Sequence, residues 1–181
     1  LQTDLASGQS TLVAVFGNAR LGTVTSTAGT ITLTYAQFSA NGTQFDQAGS
    51  IFGHITGATL RVTGVAASAI GTTLQLAVAP ASIDVTDSAA NIGLAQAALA
   101  ANHAAIGTVT PTDASLALAD AQDLWDVVAG AGIALDESGL TIHCPIADLN
   151  LLRQFDSYTT LLMNAQHVTI DEPAVSEDVA H

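Results

Sequence analysis

Residues 21–38 of the chain lie over residues 106–123 without a gap. Leu21-Gly22-Thr23-Val24-Thr25 falls on Ile106-Gly107-Thr108-Val109-Thr110, Ile31 and Leu33 fall on Leu116 and Leu118, and Ala36-Gln37 falls on Ala121-Gln122. The same shift of about 85 residues sets Ile83, Val85 and Asp87 over Val168, Ile170 and Glu172. Thr59-Leu60-Arg61-Val62 instead matches Gly139-Leu140-Thr141-Ile142 at a shift of about 80, so a short length difference sits between that strand and the end of each copy. Separated blocks sharing one offset are the signature of a repeat architecture, which outranks any local motif in deciding a fold. The boundaries read as one copy over 1–87, a second over 88–173, and an acidic, frayed tail over 174–181.

Within each copy, stretches of strand period alternate with stretches of helix period. Thr3-Asp4 caps a first helix running to about Asn18. Thr23 to Thr25 and Thr30 to Tyr35 alternate polar and apolar residues, with a bend at Ala28-Gly29 between them. Phe38, Phe45 and Phe52 recur at helical spacing, weakened by Gly42. Thr59 to Val65 reads as a strand, about 66–78 as a short helix closed by Pro80, and Ser82 to Thr86 as a strand. In the second copy Asp87-Ser88 caps an Ala-rich helix to about Ala105, with Ile92 and Leu99 inward. Strands follow at Thr108 to Thr110 and Ser115 to Ala119. Asp120 then caps a helix carrying Leu124, Val127 and Val128, ended by Gly130 and Gly132. A strand at Leu140 to Cys144, a helix bearing Leu151, Phe155, Tyr158 and Leu162, and a strand at Val168 to Asp171 complete the order. Strands separated by helices pair in parallel through crossovers. The expected fold is therefore α/β: a tandem-repeat, solenoid-like parallel sheet with helices on one side. A compact α/β fold of two pseudo-symmetric halves is the alternative.

Charge narrows the partners. The net charge of −13 disfavours nucleic acid, whose phosphates need Lys and Arg, and disfavours an anionic membrane surface. No apolar run reaches the length of a membrane span. There is no Lys, and the single Cys144 excludes an internal disulfide framework. The charge is also unevenly placed. Residues 1–82 hold only Asp4, Asp46, Arg20 and Arg61, which cancel, so all the net charge falls in residues 83–181. A nearly uncharged first half has little to hold it apart from neighbours, which suits lateral packing on another repeat or subunit. The chain opens on Leu1 without a signal peptide, which reads as a processed chain or a segment of a longer one.

The stretch Ile83-Asp84-Val85-Thr86-Asp87-Ser88-Ala89-Ala90-Asn91-Ile92 resembles a recurring phrase in very large bacterial surface and secreted proteins. Leu33-Thr34-Tyr35-Ala36-Gln37, Leu118-Ala119-Asp120-Ala121-Gln122 and Leu60-Arg61-Val62-Thr63-Gly64-Val65 resemble other junctions of the same units. The resemblance is to the α/β repeat units of type I secreted, RTX/adhesin-like proteins. It implies an extracellular or cell-surface location and a structural or adhesive role. The glycine/aspartate nonapeptide that binds calcium in that family is absent here, so calcium binding does not carry over residue by residue.

The residues offer little catalytic chemistry. His54, His103, His143, His167 and His181 lack the spacing of a helix metal site. His143 and Cys144 are neighbours in a strand and so point to opposite faces, which prevents them acting as base and nucleophile; Cys144 reads as a small buried hydrophobe. No nucleophile elbow, P-loop or dinucleotide fingerprint appears. Carboxylates recur near strand ends: Asp84 and Asp87, Asp113, Asp136 and Glu137, Asp171 and Glu172. Asp87, Asp113 and Glu172 are the candidate Ca²⁺ ligands, since stacked strand ends would gather their oxygens; helix capping by Asp87 and Asp120 is the simpler reading. No catalytic or cofactor-binding residue is assigned, and no cofactor is required, Ca²⁺ being the one ion the pattern admits. The expected function is a non-enzymatic extracellular structural or adhesive module that assembles with copies of itself into a filament or surface layer. The alternative is a calcium-dependent module that binds a glycan or host surface.

Overall fold

A computed structural model describes residues 24–40, 55–145 and 167–171. Strand β1 (Val24–Thr34) runs directly into helix α1 (Tyr35–Ala40), and β2 (Ile55–Val65) is followed by a 3-10 turn (Ala67–Ala69) and α2 (Ile70–Leu74). Next come β3 (Ser82–Asp87), α3 (Ala89–Leu94), α4 (Gln96–Asn102), a 3-10 turn (His103–Ala105) and β4 (Ile106–Pro111). The described part closes with β5 (Ser115–Ala117), α5 (Leu118–Gly130), β6 (Ala134–Leu135), β7 (Thr141–Pro145) and β8 (His167–Asp171). The expected helices over 4–18 and around 151–162, the positions of Phe45 and Phe52, and the tail after Pro173 lie outside the described residues.

The strands form two all-parallel sheets, one in the order β1-β2-β3-β4-β6 and one in the order β5-β7-β8. Parallel neighbours need a crossover between them, and α1 to α5 lie in the described connections. The fold is thus α/β, as the alternation of periods implies.

Alternation along the strands decides which side chains form the core. Ile31 and Leu33 on β1, Leu60 and Val62 on β2, Ile83 and Val85 on β3, and Ile106 and Val109 on β4 are all buried in one cluster. Phe38, Ile70, Ile92, Leu99, Leu124, Val128 and Ile133 close over it. A second, smaller cluster joins Leu118, Ala121, Leu140, Ile142 and Cys144, and Leu116 packs against both.

Several local expectations change. The two strands expected on either side of Ala28-Gly29 are one continuous strand. The bend survives as a register shift between Thr25 and Gly29, where Gly29 adopts φ +67°. The single Ala-rich helix expected over 88–105 is broken into α3, α4 and a 3-10 turn, because Ala95 leaves helical geometry (φ −92°, ψ 9°). Ile92 and Leu99 still reach the core with no exposed surface, while Leu94 between them is 87% exposed. Asp120 is not the cap of its helix. Ala117 holds that position without a side-chain bond, and Asp120 lies in the first turn, where the positive end of the helix favours a carboxylate. The expected stop is a Schellman turn: Gly132 at φ +74° donates its amide to the Ala129 carbonyl, and Ile133 donates to the Val128 carbonyl. Ile133 and Val128 are both buried there, as that turn requires.

Candidate functional site

Strand ends in a parallel sheet lie side by side, so polar residues just beyond them meet the starts of the helices that follow. Asp87 ends β3, opposite Pro111 of β4. Its Oδ2 accepts from the Ala67 amide at 3.0 Å, one strand back, and its Oδ1 accepts from the Ser88 amide at 2.8 Å and Asn91 Nδ2 at 2.7 Å. The Asn91 side chain foremost, then the Ala67 and Ser88 amides, hold its carboxyl below the usual carboxylate range. Ser88 is the N-cap of α3, its hydroxyl accepting from the Asn91 amide.

Asp113 lies two residues after β4, and its Oδ2 accepts from the Ala89 amide at 2.6 Å. Two of the three candidate calcium ligands, Asp87 and Asp113, thus accept from the successive amides of Ser88 and Ala89; Glu172 lies outside the described residues. What they gather is N–H donors. Among the described residues no group of three His, Cys, Asp or Glu side chains is placed to hold a metal ion.

Asp84 is tied differently. Arg61, one strand away, donates to its Oδ2 from Nη2 at 2.6 Å and Nε at 2.9 Å. Its Oδ1 is buried without a partner, and a Cβ placed on Gly107 would approach that oxygen to 2.7 Å. Gly107 is thus needed where β4 passes the carboxylate of β3.

Asp136 and Glu137 line a cavity of about 400 Å³ together with Trp125, Ile133 and Ser138. Ser138, through its hydroxyl and its amide (3.1 Å), holds the Asp136 carboxyl low. Glu137 is 6% exposed, neither of its carboxylate oxygens has a hydrogen-bond partner, and burial pushes its carboxyl up. Both of those oxygens are shut away from solvent, so the pair does not face across an open cleft as paired acid and base groups must. The sequence marks Glu137 as one of several strand-end acids. Its burial comes from packing that no local pattern encodes.

Cys144 is fully buried in the smaller cluster, and its neighbour His143 is half-buried. His103 Nδ1 lies 3.0 Å from the Ala100 carbonyl, while His54 and His181 lie outside the described residues.

The remaining feature is a strand edge. β8 pairs with β7 over its whole length and is the last strand of its sheet among the described residues. Val168 is 40% exposed and Ile170 53%, and His167 and Thr169 are exposed as well, so both faces of β8 carry exposed side chains. β1 is the corresponding terminal strand of the larger sheet among the described residues.

No protein-family model, curated protein or solved structure matches this chain. No helix among the described residues is long and apolar enough to cross a membrane.

Proposed function

We propose that this chain is a non-enzymatic structural module, built of two copies of one α/β unit in a solenoid-like stack, that assembles end to end with copies of itself at a cell surface or outside the cell. The observation that carries the reading is β8, the terminal strand of a parallel sheet among the described residues, with Val168 and Ile170 exposed on it. A terminal parallel strand with exposed apolar residues is a template for a further strand.

The sheet registers support the duplication beneath this reading. Val24 pairs with Ile55 on one side of the chain, and Val109 pairs with Leu135 on the other. These are the same pairing moved by the offsets of about 85 and about 80 read from the sequence. Arg61 with Ser82 and Thr141 with His167 repeat that relation for the next strand pair. On this reading β4 and β5 together answer to β1, β6 and β7 to β2, and β8 to β3. The order of strands, each beside the one before it within its sheet, favours stacking over two halves folded face to face. The surface or extracellular setting is what the resemblance of the stretch from Ile83 to Ile92 to secreted repeat units implies, and the acidity and absence of Lys are in keeping with it.

Light scattering and negative-stain electron microscopy of the purified chain over a range of concentrations test the proposal, with linear or sheet-like assemblies expected. Monodisperse single chains at every concentration would overturn it. The same measurement in added calcium and in chelator separates the alternative, since assembly that needs calcium would favour an ion-dependent binding module.

A further inference from the structure

β3 and β8 stand in the same place in the two copies, yet their surroundings differ. β3 is paired on both edges, to β2 through Arg61 and Ser82 and to β4 through Val85 and Val109. β8 is paired on one edge, to β7, through the matching pair Thr141 and His167. Burial differs as well: Ile83 and Val85 have no exposed surface, while their counterparts Val168 and Ile170 are 40% and 53% exposed. β1 shows the converse. Its counterpart β4 is flanked by β3, whereas β1 itself ends its sheet among the described residues. Among the described residues β8 has no neighbour in the place of β4, and β1 has none in the place of β3.

We propose that the open edge of β8 takes β1 of a second copy of this chain, in parallel, with Ile170 set opposite Val24. This rests on the assembly reading above and specifies its joint. The register follows from the internal joint, because Val85 lies opposite Val109 and the counterparts of those residues are Ile170 and Val24. Charge favours this partner over the β8 edge of a second copy. Residues 1–82 carry no net charge, so the β1 end meets the acidic β8 end without repulsion. Two β8 edges brought together would set two acidic ends against each other, and a like-charge contact of that kind is destabilising. A head-to-tail joint also leaves one β8 and one β1 open after every addition, so growth continues as a filament.

Cysteine cross-linking reads the joint. Cys144 is the only cysteine, and a Cys144→Ala background leaves none to compete. Chains carrying Ile170→Cys are mixed with chains carrying Val24→Cys and oxidised. Parallel neighbours hold facing Cα atoms roughly 5 Å apart, within disulfide reach. A cross-linked dimer in that mixture, in several-fold excess over Ile170→Cys alone and over Ile170→Cys mixed with Thr32→Cys, is the expected result. Equal yields in all three mixtures, or none in the first, would overturn the joint. Ile170→Lys in the otherwise unaltered chain provides a second reading that needs no new disulfide. Its site is exposed, so the fold is retained by circular dichroism while assembly is lost. Assembly undiminished by Ile170→Lys would also overturn the joint. Assembly of the unaltered chain without the cross-link rejects the joint and leaves the module reading standing, whereas a chain that never assembles rejects both.

Discussion

Replacing Asp87 by Ala tests whether the strand-end carboxylates hold the fold together by capping. The substitution removes three acceptor contacts, at 3.0, 2.8 and 2.7 Å. The amide of Ser88 and the side chain of Asn91 lie near solvent and recover partners there. The Ala67 amide does not, because Ala67 is 1% exposed. An unsatisfied buried donor costs about 1–3 kcal/mol, and the lost charge-assisted bonds to the other two groups add about 1 kcal/mol. The expected loss is about 3 kcal/mol, which for a chain of this size lowers Tm by roughly 6–12 °C at pH 7. Asp87→Asn recovers little, since one amide group can serve Ser88 and Asn91 with its oxygen only by turning its NH₂ toward the Ala67 donor. The pH dependence supplies a second check. Asp87 has a folded pKa held below its ordinary value of 3.8, so its contribution is present above pH 3.8 and is lost as pH falls through the depressed folded value. Thermal unfolding followed by circular dichroism should therefore show the gap between Asp87→Ala and the unaltered chain narrowing in acid. A shift smaller than about 1 °C at pH 7, or a gap that widens on acidification, would refute the capping argument.

Gly107→Ala should cost about 1–3 kcal/mol in urea unfolding, because its Cβ would press on an Asp84 carboxylate fixed by Arg61. Asp84→Ala in the same chain should recover most of that loss, and a double-mutant cycle showing strict additivity would contradict the contact. Glu137→Met should stabilise the chain at pH 7. The buried carboxyl has a raised folded pKa, so stability of the unaltered chain is full below its ordinary value of 4.5 and declines as pH rises through the raised value. The variant should lack that decline across the same pH series. Leu99→Ala should cost about 2–5 kcal/mol, since Leu99 has no exposed surface, while Leu94→Ala, at a site 87% exposed, should fall within about 0.5 kcal/mol of the unaltered chain.

The parts of the fold legible in the sequence are those governed by local periodicity. Ile31 and Leu33, or Ile83 and Val85, announce a strand and its buried face because side chains alternate across a sheet. Gly132 announces the end of α5 because only glycine enters a left-handed turn without strain. The break falls on Ala95, the residue type of highest helix propensity, and its one local signal is Gly93 two residues earlier, which weakens a helix by about 1 kcal/mol. β6 is missed for its brevity: two residues carry no period, and Ala134 and Leu135 become a strand only by lying beside β4. Asp87 and Asp113 are recognisable as candidate site residues, but the amides they bind, Ala67 and Ala89, lie in earlier segments of the chain. Such bonds are decided by which strands lie side by side, and no local sequence pattern reports that. Glu137 is the extreme case. It reads as one more strand-end acid, and only the packed structure closes over it.

The reach of those two carboxylates has a direction. Asp87 secures the start of the turn after β2, and Asp113 secures the start of the helix after β3, so each segment is fastened by residues synthesised later. Shortening the chain from its C-terminal side strips anchors from what remains, whereas shortening it from the other side leaves every later anchor with its acceptor intact and merely idle. During synthesis the earlier segments therefore wait, incompletely fastened, until the next strand end emerges to hold them.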